Sequence, residues 1–408
     1  MPICSGKPMP QPGCKDKQEL FSTTMNNVYI TDIAAFLPNK PVNNDDIEKL
    51  LGLGNSLPSR TKKIILKNNG IETRHYAIDP ETRELTHTNA QLAAEAVAKL
   101  KPYANFSPED ISCLCCGSST PDQFMPGHAS MVHGELKGSS CEIVSTAGVC
   151  LSGITALKYA YLNVGAGLTP NAVATGSELA SSYLRAEFLE KGPDREKIDK
   201  LEQKPALSFE ADFLRWMLSD GAGAAFLGTE PRPDGKSLRI DWIDIVSHAH
   251  RYEPCMYAGA NKDKNGELRG WRECDSLPEA LNREFFPIKQ DARLLNRRIL
   301  TAVVDESLPG IIKARNLEPD NISWFLPHYS SEYFRIPVFN HLTEIGFTIP
   351  LERWFTNLAT KGNTGSASIY IIMEELMKTG RLSRGETLLC FIPESGRFST
   401  AYMHLTVV

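Results

Sequence analysis

The chain has 408 residues, of which 42% are hydrophobic, and it carries 44 basic and 49 acidic side chains. That composition is typical of a globular protein with a sizeable core and excludes a disordered chain. The net charge of −5 argues against a broad nucleic-acid-binding surface. No apolar run approaches the roughly 18 residues needed to span a bilayer, and the first 20 residues lack the apolar segment of a secretory signal. We therefore expect a cytoplasmic protein that binds neither nucleic acid nor membrane.

The ten cysteines are too widely spaced for a small disulfide scaffold. A zinc site would need paired knuckles, and only Cys113, Cys115 and Cys116 are clustered, within an apolar run that is typical of a strand. We expect no metal and no cofactor, and we expect most thiols to be reduced core residues.

In chain order, residues 1–24 are predicted to be a flexible extension, and an alternation of strands and helices follows. Alternation of this kind is typical of a layered α/β protein. The charge-rich segment 187–204 is interpreted as a helical or loop-like insertion. The polar segment 252–277 is interpreted as an inserted loop region. The predicted strands are 27–36, 111–116, 142–145, 171–175, 239–247, 322–326, 387–392 and 402–407, and the predicted helices are 90–100, 126–136, 150–162, 291–315, 332–345 and 364–379.

Two predicted helices begin with similar runs of small residues. One begins Cys150-Leu-Ser-Gly-Ile-Thr-Ala-Leu and the other begins Asn363-Thr-Gly-Ser-Ala-Ser-Ile-Tyr. Small side chains allow close approach of two backbones. The pair is consistent with two helices packed together at the centre of a duplicated fold.

The first candidate for chemistry is Cys150, in the segment Ser145-Thr-Ala-Gly-Val-Cys150-Leu-Ser-Gly153 between a predicted strand and a predicted helix. A thiol in the first turn of a helix lies at the positive end of the helix dipole, which lowers its pKa and favours the thiolate. Backbone N–H groups of that turn could stabilise an oxyanion beside the sulfur. The alternative is a small buried core cysteine.

Two further polar side chains lie at the ends of predicted elements. His328 follows Pro327 and a predicted strand, where it could be a base or hydrogen-bond donor, or could be satisfied by loop backbone. Asn363 precedes a predicted helix, where its amide could donate to an oxyanion or cap the helix. The run Ser219-Asp-Gly-Ala-Gly-Ala224 is interpreted as a turn before a core strand rather than a phosphate loop. A cysteine, a histidine and an asparagine suit acyl transfer through a thioester, although a protease would use a similar trio.

These motifs resemble those of the ketoacyl-acyl-carrier-protein synthase III branch of the thiolase superfamily, over residues 27–407. Three other segments contribute to the resemblance: Gly70-Ile-Glu-Thr-Arg74, Ser119-Thr-Pro-Asp122 and Leu326-Pro-His328. The resemblance implies an acyltransferase whose catalytic set is Cys150, His328 and Asn363.

The resemblance also implies a thiolase-like five-layered αβαβα fold built from two duplicated βαβαβαββ halves. The first half, at residues 25–235, would contain the nucleophilic cysteine. The second half, at residues 236–408, would contain the histidine and the asparagine.

Several departures from the family pattern suggest a subfamily. The stretch His328-Tyr-Ser-Ser-Glu-Tyr-Phe-Arg335 replaces a histidine followed by Gln-Ala-Asn, and Glu394-Ser-Gly-Arg-Phe398 replaces a triple-glycine oxyanion loop. Ser395 is the nearest match for the second oxyanion amide. Together with Phe213-Leu-Arg-Trp-Met-Leu-Ser219, these features resemble the ketosynthases of dialkylresorcinol and bacterial stilbene biosynthesis. Those enzymes join an acyl thioester to a β-ketoacyl thioester and close a cyclohexanedione ring.

By this resemblance, an acyl group from a carrier-protein or CoA thioester would load onto Cys150, with the oxyanion held by the N–H groups of Cys150 and Ser395. His328 and Asn363 would bind the carbonyl of the second substrate as it becomes an enolate. His328 or Glu178 would remove an α-proton if no decarboxylation occurs, although a loop or cap role explains Glu178 equally well.

The resemblance further implies a homodimer, in which a loop with Phe124 and Met125 reaches into the acyl tunnel of the partner. An acidic acyl carrier protein would dock on basic residues, of which Arg335 is the nearest match. The alternatives are a synthase that primes chains with a malonyl thioester, an acyltransferase of the same fold, and a silent subunit of a heterodimeric synthase.

Overall fold

The structure, a computed structural model, describes residues 25–53, 62–186 and 214–408. The predicted extension 1–24, the segment 187–204 and Phe213 lie outside the described residues. In the part of the chain that is described, no helix is long and apolar enough to cross a bilayer.

The strands of the described residues include nine long or central ones and six short ones. They are β1 (Tyr29–Phe36), β2 (Val42–Asn43), β3 (Thr73–Arg74), β4 (Cys113–Ser118), β5 (Glu142–Ala147), β6 (Asn171–Glu178), β7 (Gly221–Gly228), β8 (Leu238–Ser247), β9 (Met256–Tyr257), β10 (Ala260–Lys262), β11 (Leu268–Gly270), β12 (Lys289–Gln290), β13 (Trp324–Pro327), β14 (Thr387–Glu394) and β15 (Ser399–Val407).

The α-helices vary from single turns to four turns. They are α1 (Ile47–Leu51), α2 (Lys62–Asn69), α3 (Asn89–Ala98), α4 (His128–Leu136), α5 (Leu151–Gly165), α6 (Ser181–Leu184), α7 (Leu277–Asn282), α8 (Ala292–Leu300), α9 (Leu308–Arg315), α10 (Arg335–Glu344), α11 (Leu358–Lys361) and α12 (Ser368–Lys378).

Nine strands form one mixed sheet in the order β13-β14-β15-β8-β1-β7-β6-β4-β5. In the first half, β4 is parallel to β6, while β7 is antiparallel to both β6 and β1. In the second half, β13 is parallel to β14, while β15 is antiparallel to both β14 and β8. The halves meet where Tyr29 and Ile30 of β1 pair with Arg239 and Leu238 of β8. The two sets of strands therefore repeat one topology.

The one difference between the two sets is at the outer edge. In the first half β5 pairs in parallel with β4. Its counterpart beside β13 is reduced to a single parallel bridge between Trp354 and Phe325. The edge strand β5, predicted at 142–145, is largely exposed.

Three clusters of buried side chains mark five layers. Helices α3 and α4 pack on the outer face of the first half, where Leu92, Val132 and Val173 are buried together. Helices α5 and α12 lie between the halves, and α8, α9 and α10 cover the second half. This is the layered α/β architecture that the resemblance implied.

The two central helices approach each other closely because both begin with small residues. A Cβ atom on Gly153 would lie 2.2 Å from the carbonyl oxygen of Ser366, and a Cβ on Gly176 would lie 2.3 Å from the same atom. The hydroxyl of Tyr370 in α12 donates to the carbonyl of Gly153 in α5 at 2.8 Å. The predicted close packing of the two helices is confirmed.

Two predictions about the second half are wrong. The single helix predicted at 291–315 is divided into α8, a π-helical turn at Thr301–Asp305, and α9. Pro309 lies in the first turn of α9, and because proline lacks an N–H it cannot continue the hydrogen-bond ladder. The segment 252–277 is not a loop, since it contains β9 and the antiparallel hairpin β10–β11.

Candidate active site

A cavity of about 870 Å³, including its open mouth, lies where elements of both halves meet. Its polar lining includes Cys150, Glu178, His328, Asn363 and Ser395. Most of the remaining wall is apolar, with Leu214, Met217, Leu295, Ile299, Val338 and Phe391 among its side chains. An apolar wall with a few convergent polar groups is typical of a ligand-binding site.

Cys150 lies at the turn between β5 and α5, immediately before the first residue of the helix. Contrary to the prediction from the helix dipole, the pKa of the thiol is raised above its ordinary value. Loss of solvent around the sulfur is the main cause, and the carboxyl groups of Glu394 and Glu178 add to it. The positive end of α5 is compensated because Glu394 Oε2 accepts hydrogen bonds from the N–H groups of Val149 at 3.0 Å and Leu151 at 2.9 Å.

His328 follows β13, where its own N–H donates to the carbonyl of Phe391 at 2.8 Å. Burial lowers the pKa of the imidazole to about 4, so the ring is neutral at neutral pH. Neither ring nitrogen has a hydrogen-bond partner among the described residues. The ring is therefore not satisfied by loop backbone, and both nitrogens remain for a ligand in the cavity.

Asn363 is held on both sides by the segment before β7. Its N–H donates to the carbonyl of Met217 at 2.9 Å, and its carbonyl accepts from the N–H of Ser219 at 2.8 Å. Its side-chain Oδ1 accepts from the N–H of Gly365 at 2.9 Å. The local hydrogen bond therefore uses the oxygen of the Asn363 amide. The Nδ2 group of the same amide remains as a donor for a ligand in the cavity. The prediction that the run 219–224 is a turn before a strand is wrong, because its last four residues already belong to the buried strand β7, whose pairing with β6 and β1 extends it.

Glu178, the last residue of β6, accepts four hydrogen bonds. The donors are Ser119 N–H at 3.2 Å, Ser119 Oγ at 2.6 Å, Thr120 Oγ1 at 2.8 Å and Ser366 N–H at 3.1 Å. Burial raises the pKa of the carboxyl group, and these donors oppose the shift. Because a carboxylate accepts about four hydrogen bonds, the arrangement is that of a structural carboxylate joining the two halves.

The remaining predicted residues lie in different places. Ser395 lines the cavity, and its Oγ accepts from Gln290 Nε2 at 2.9 Å. Phe124 and Met125 are 77% and 80% exposed, and the Phe124 ring stacks on Trp271 with centroids 5.9 Å apart. Arg335 forms an ion pair with Glu332 at 3.1 Å, so it does not face the cavity as a free cation.

The residue that the sequence analysis missed is Glu394. Its segment was interpreted only as a replacement for the triple-glycine oxyanion loop. A carboxylate in place of glycine beside the oxyanion site was a signal that this side chain acts on the site. The clustered Cys113, Cys115 and Cys116 are buried in β4. Within the described ranges, no group of three or more histidine, cysteine or acidic side chains could hold a metal ion.

The chain is similar in sequence to known proteins over most of its length. Residues 312–393 match the family model described as 3-oxoacyl-[acyl-carrier-protein] synthase III, C terminal. A β-ketoacyl-[acyl-carrier-protein] synthase III from Clostridium perfringens is 25% identical over 367 residues, which cover 90% of this chain and 95% of that protein. The corresponding protein from Aquifex aeolicus is 24% identical over 360 residues, which cover 88% of this chain and 93% of that protein.

Two solved structures share the fold. AbyA1, a tetronic acid condensing enzyme, superposes with a TM-score of 0.69 at 19% identity and covers 93% of this chain and 99% of its own. Xanthomonas campestris OleA, with bound lauric acid and lauroyl-CoA, gives the same TM-score of 0.69 at 19% identity, covering 94% and 99%. The chain is thus similar to ketoacyl-[acyl-carrier-protein] synthase III enzymes over most of its length, and it is an acyltransferase with the thiolase-like fold.

Proposed function

We propose that this enzyme joins an acyl group on Cys150 to a β-ketoacyl thioester and then closes a 1,3-cyclohexanedione ring, as in dialkylresorcinol and stilbene biosynthesis. The observation that carries the proposal is that a thiol, an imidazole and a side-chain amide line one cavity with a mainly apolar wall. A thioester of an aliphatic acid needs these groups and that wall, whereas a protease would need the asparagine to orient the histidine.

In the first step, the Cys150 sulfur attacks the carbonyl carbon of an acyl thioester. The carbon–sulfur bond to the donor breaks, the donor leaves as a thiol, and the Cys150 proton goes to that thiol. The N–H groups of Cys150 and Ser395 stabilise the oxyanion of the tetrahedral intermediate. A carrier-protein or CoA thioester would serve as donor.

In the second step, His328 takes the α-proton of the second thioester, and the resulting enolate carbon attacks the acyl carbon on Cys150. The bond between that carbon and the Cys150 sulfur breaks, and the Cys150 thiolate takes up the proton from His328. His328 and Asn363 donate hydrogen bonds to the enolate oxygen. A neutral imidazole can accept the α-proton and then donate to the enolate oxygen, and the Nδ2 group of Asn363 donates without a change of charge. An addition to an unsaturated acyl chain would then close the ring.

We further propose a homodimer formed at the edge of β5, with the loop of Phe124 and Met125 reaching the partner's tunnel. An unpaired edge strand is a ready site for pairing with a second chain. Ile143 in β5 is 38% exposed, and the two loop residues are the most exposed large apolar side chains among the described residues. An acyl carrier protein would dock near Arg335. An acidic side chain of the carrier protein would then replace Glu332 as the ion-pair partner of Arg335.

The second candidate is a synthase that primes chains with a malonyl thioester. It is favoured by the curated relatives, since those in Clostridium perfringens and Aquifex aeolicus are named β-ketoacyl-[acyl-carrier-protein] synthase III. The two functions differ in product, because priming releases CO₂ and gives a linear β-ketoacyl thioester.

The test has two stages. The protein is first incubated with acyl thioesters, and intact mass is followed for an acyl adduct, with Cys150→Ala as the test variant and Cys141→Ala as the matched control. We expect the adduct in the wild type and in Cys141→Ala but not in Cys150→Ala. An adduct that survives Cys150→Ala would contradict the proposed nucleophile.

In the second stage the acylated protein receives either a malonyl or a β-ketoacyl thioester, and the product is identified by mass spectrometry. A cyclic dione from the β-ketoacyl thioester is the expected result. Reaction with the malonyl thioester alone, with CO₂ release and a linear product, would favour the priming synthase.

A further inference from the structure

The two halves place one glutamate each at equivalent positions. Glu178 is the last residue of β6, and Glu394 is the last residue of β14, the counterpart of β6 in the repeated topology. Each carboxylate accepts hydrogen bonds from backbone N–H groups where a central helix of the other half begins. Glu178 binds Ser366, two residues before α12, and Glu394 binds Val149 and Leu151 at the start of α5.

The consequence at α5 concerns which N–H groups are available. The first N–H groups of a helix have no partner within the helix. Glu394 Oε2 takes those of Val149 and Leu151, the residues on either side of Cys150. The N–H of Ser152 is bound to the carbonyl of Val149 at 3.2 Å. Among the described residues, the N–H of Cys150 donates to no carboxylate and to no backbone carbonyl. Of the N–H groups of residues 149 to 152, it is therefore the one that remains for an oxyanion.

The consequence for the thiol is electrostatic. A helix amino terminus carries about half a positive charge, which normally favours a neighbouring thiolate. Here that charge is compensated by a carboxylate that binds on both sides of the cysteine. We propose that Glu394 is a positioning residue that keeps the Cys150 thiol protonated in the resting enzyme and, at the start of α5, leaves only the Cys150 N–H group for the oxyanion.

The carboxyl groups of two glutamates act on the thiol, and one histidine lines the same cavity. Glu394 comes from the end of β14, Glu178 from the end of β6, and His328 from the end of β13. The His328 ring is neutral at neutral pH, so it supplies no positive charge that would offset the two carboxylates. A protonated thiol reacts slowly with oxidants and alkylating agents, because the thiolate is the nucleophile. The inference deepens the proposed function, on which it rests through the role of Cys150.

The test measures the protonation of Cys150 directly. The rate of alkylation by iodoacetamide is followed against pH, and the Cys150 peptide is quantified by mass spectrometry so that the other cysteines do not contribute. In the wild type we expect a midpoint above the value of about 8.5 for a free cysteine. A wild-type midpoint at or below that of a free cysteine would overturn the proposal without any variant.

The main variant is Glu394→Gln, in which the side-chain oxygen still accepts from Val149 and Leu151 but the charge is gone. We expect alkylation of Cys150 at neutral pH to accelerate at least about tenfold, since one unit of pKa is a factor of ten in the thiolate fraction. Glu178→Gln should give a smaller increase, and Glu109→Gln on an exposed turn should give none. An unchanged alkylation profile in folded Glu394→Gln, or an equal effect of Glu178→Gln, would contradict the assignment.

The outcome is separable from that of the proposed function. Alkylation reports the protonation of the thiol whether or not an acyl adduct forms. If Glu394→Gln shifts the alkylation profile but no acyl thioester acylates Cys150, the positioning role stands and the proposed function fails.

Discussion

The two halves share a topology but differ in what lies at equivalent ends of their strands. The first residue after β4 is Ser119, whereas the first residue after the equivalent β13 is His328. The helix α5 begins beside a thiol, whereas the segment before α12 begins beside the amide of Asn363. In contrast, the two equivalent strands β6 and β14 both end in a glutamate, Glu178 and Glu394.

Residues that occur in both halves connect the halves, and residues that differ between the halves line the cavity. The shared glutamates join the halves by accepting hydrogen bonds from backbone N–H groups across the centre, and Glu394 does so on both sides of the Cys150 thiol. The four unshared residues line the cavity with a hydroxyl, a thiol, an imidazole and an amide. The duplicated fold thus places equivalent strand ends and helix starts beside one cavity. The residues that differ between the two halves provide the candidate reactive groups there.

The largest expected effect on the rate of condensation comes from substituting a residue that differs between the halves. His328→Ala should lower the rate of condensation by about 10² to 10⁴-fold, because a positioned hydrogen-bond donor to the enolate is lost. Acylation of Cys150 should continue, so the adduct should accumulate. The measurement is single-turnover condensation beside intact mass.

The matched variant at the equivalent position is Ser119→Ala. It removes one of four donors to Glu178, and we expect less than about a tenfold loss of condensation. Equal losses in the two variants would mean that the halves contribute alike, against the asymmetry described above.

The next effect concerns the close approach of the halves. Gly153→Ala should lower the free energy of unfolding by about 3 kcal/mol, because the new Cβ would lie 2.2 Å from the backbone oxygen of Ser366. The control is Gly134→Ala in α4, where nothing lies within 4 Å of the new Cβ. That variant should stabilise the helix by about 0.5–1 kcal/mol. Both are measured by urea unfolding, and a neutral Gly153→Ala would show that the centre of the fold can expand.

The smallest effect compares two buried histidines, His128 in the first half and His328 in the second. Burial lowers the pKa of each to about 4, below the ordinary value of about 6.5. Between these pH values the unfolded chain binds more protons than the folded one, so stability rises with pH and is lost as the pH falls towards 4. Each histidine should contribute on the order of 1 kcal/mol per pH unit in that window.

The matched variants are His128→Gln and His328→Gln, studied by urea unfolding at a series of pH values. Each should flatten the acid loss of stability to a similar degree, but only His328→Gln should slow condensation. A His328→Gln variant that keeps the steep loss would indicate that the ring is already solvated in the folded protein.

Much of the fold followed from local patterns. The strands β1, β4, β6, β8, β14 and β15 and the helices α3, α4 and α5 lie close to the predicted segments. The prediction of a single helix at 291–315 was wrong although Pro309 is a local signal against it. The short strands β9, β10 and β11 were missed because tertiary context decides them. Short strands are difficult to predict because they depend on partners rather than on their own periodicity.

The sequence alone determined that Cys150, His328 and Asn363 lie at the ends of strands or helices, because small residues, proline and glycine mark such ends locally. It also indicated the duplication, through the two runs of small residues. Only the tertiary structure decided that these side chains share one cavity and that the Cys150 thiol has a raised pKa. The physical reason is that desolvation and charge act through space, and the carboxylate of Glu394 binds N–H groups 243 and 245 residues away in the chain.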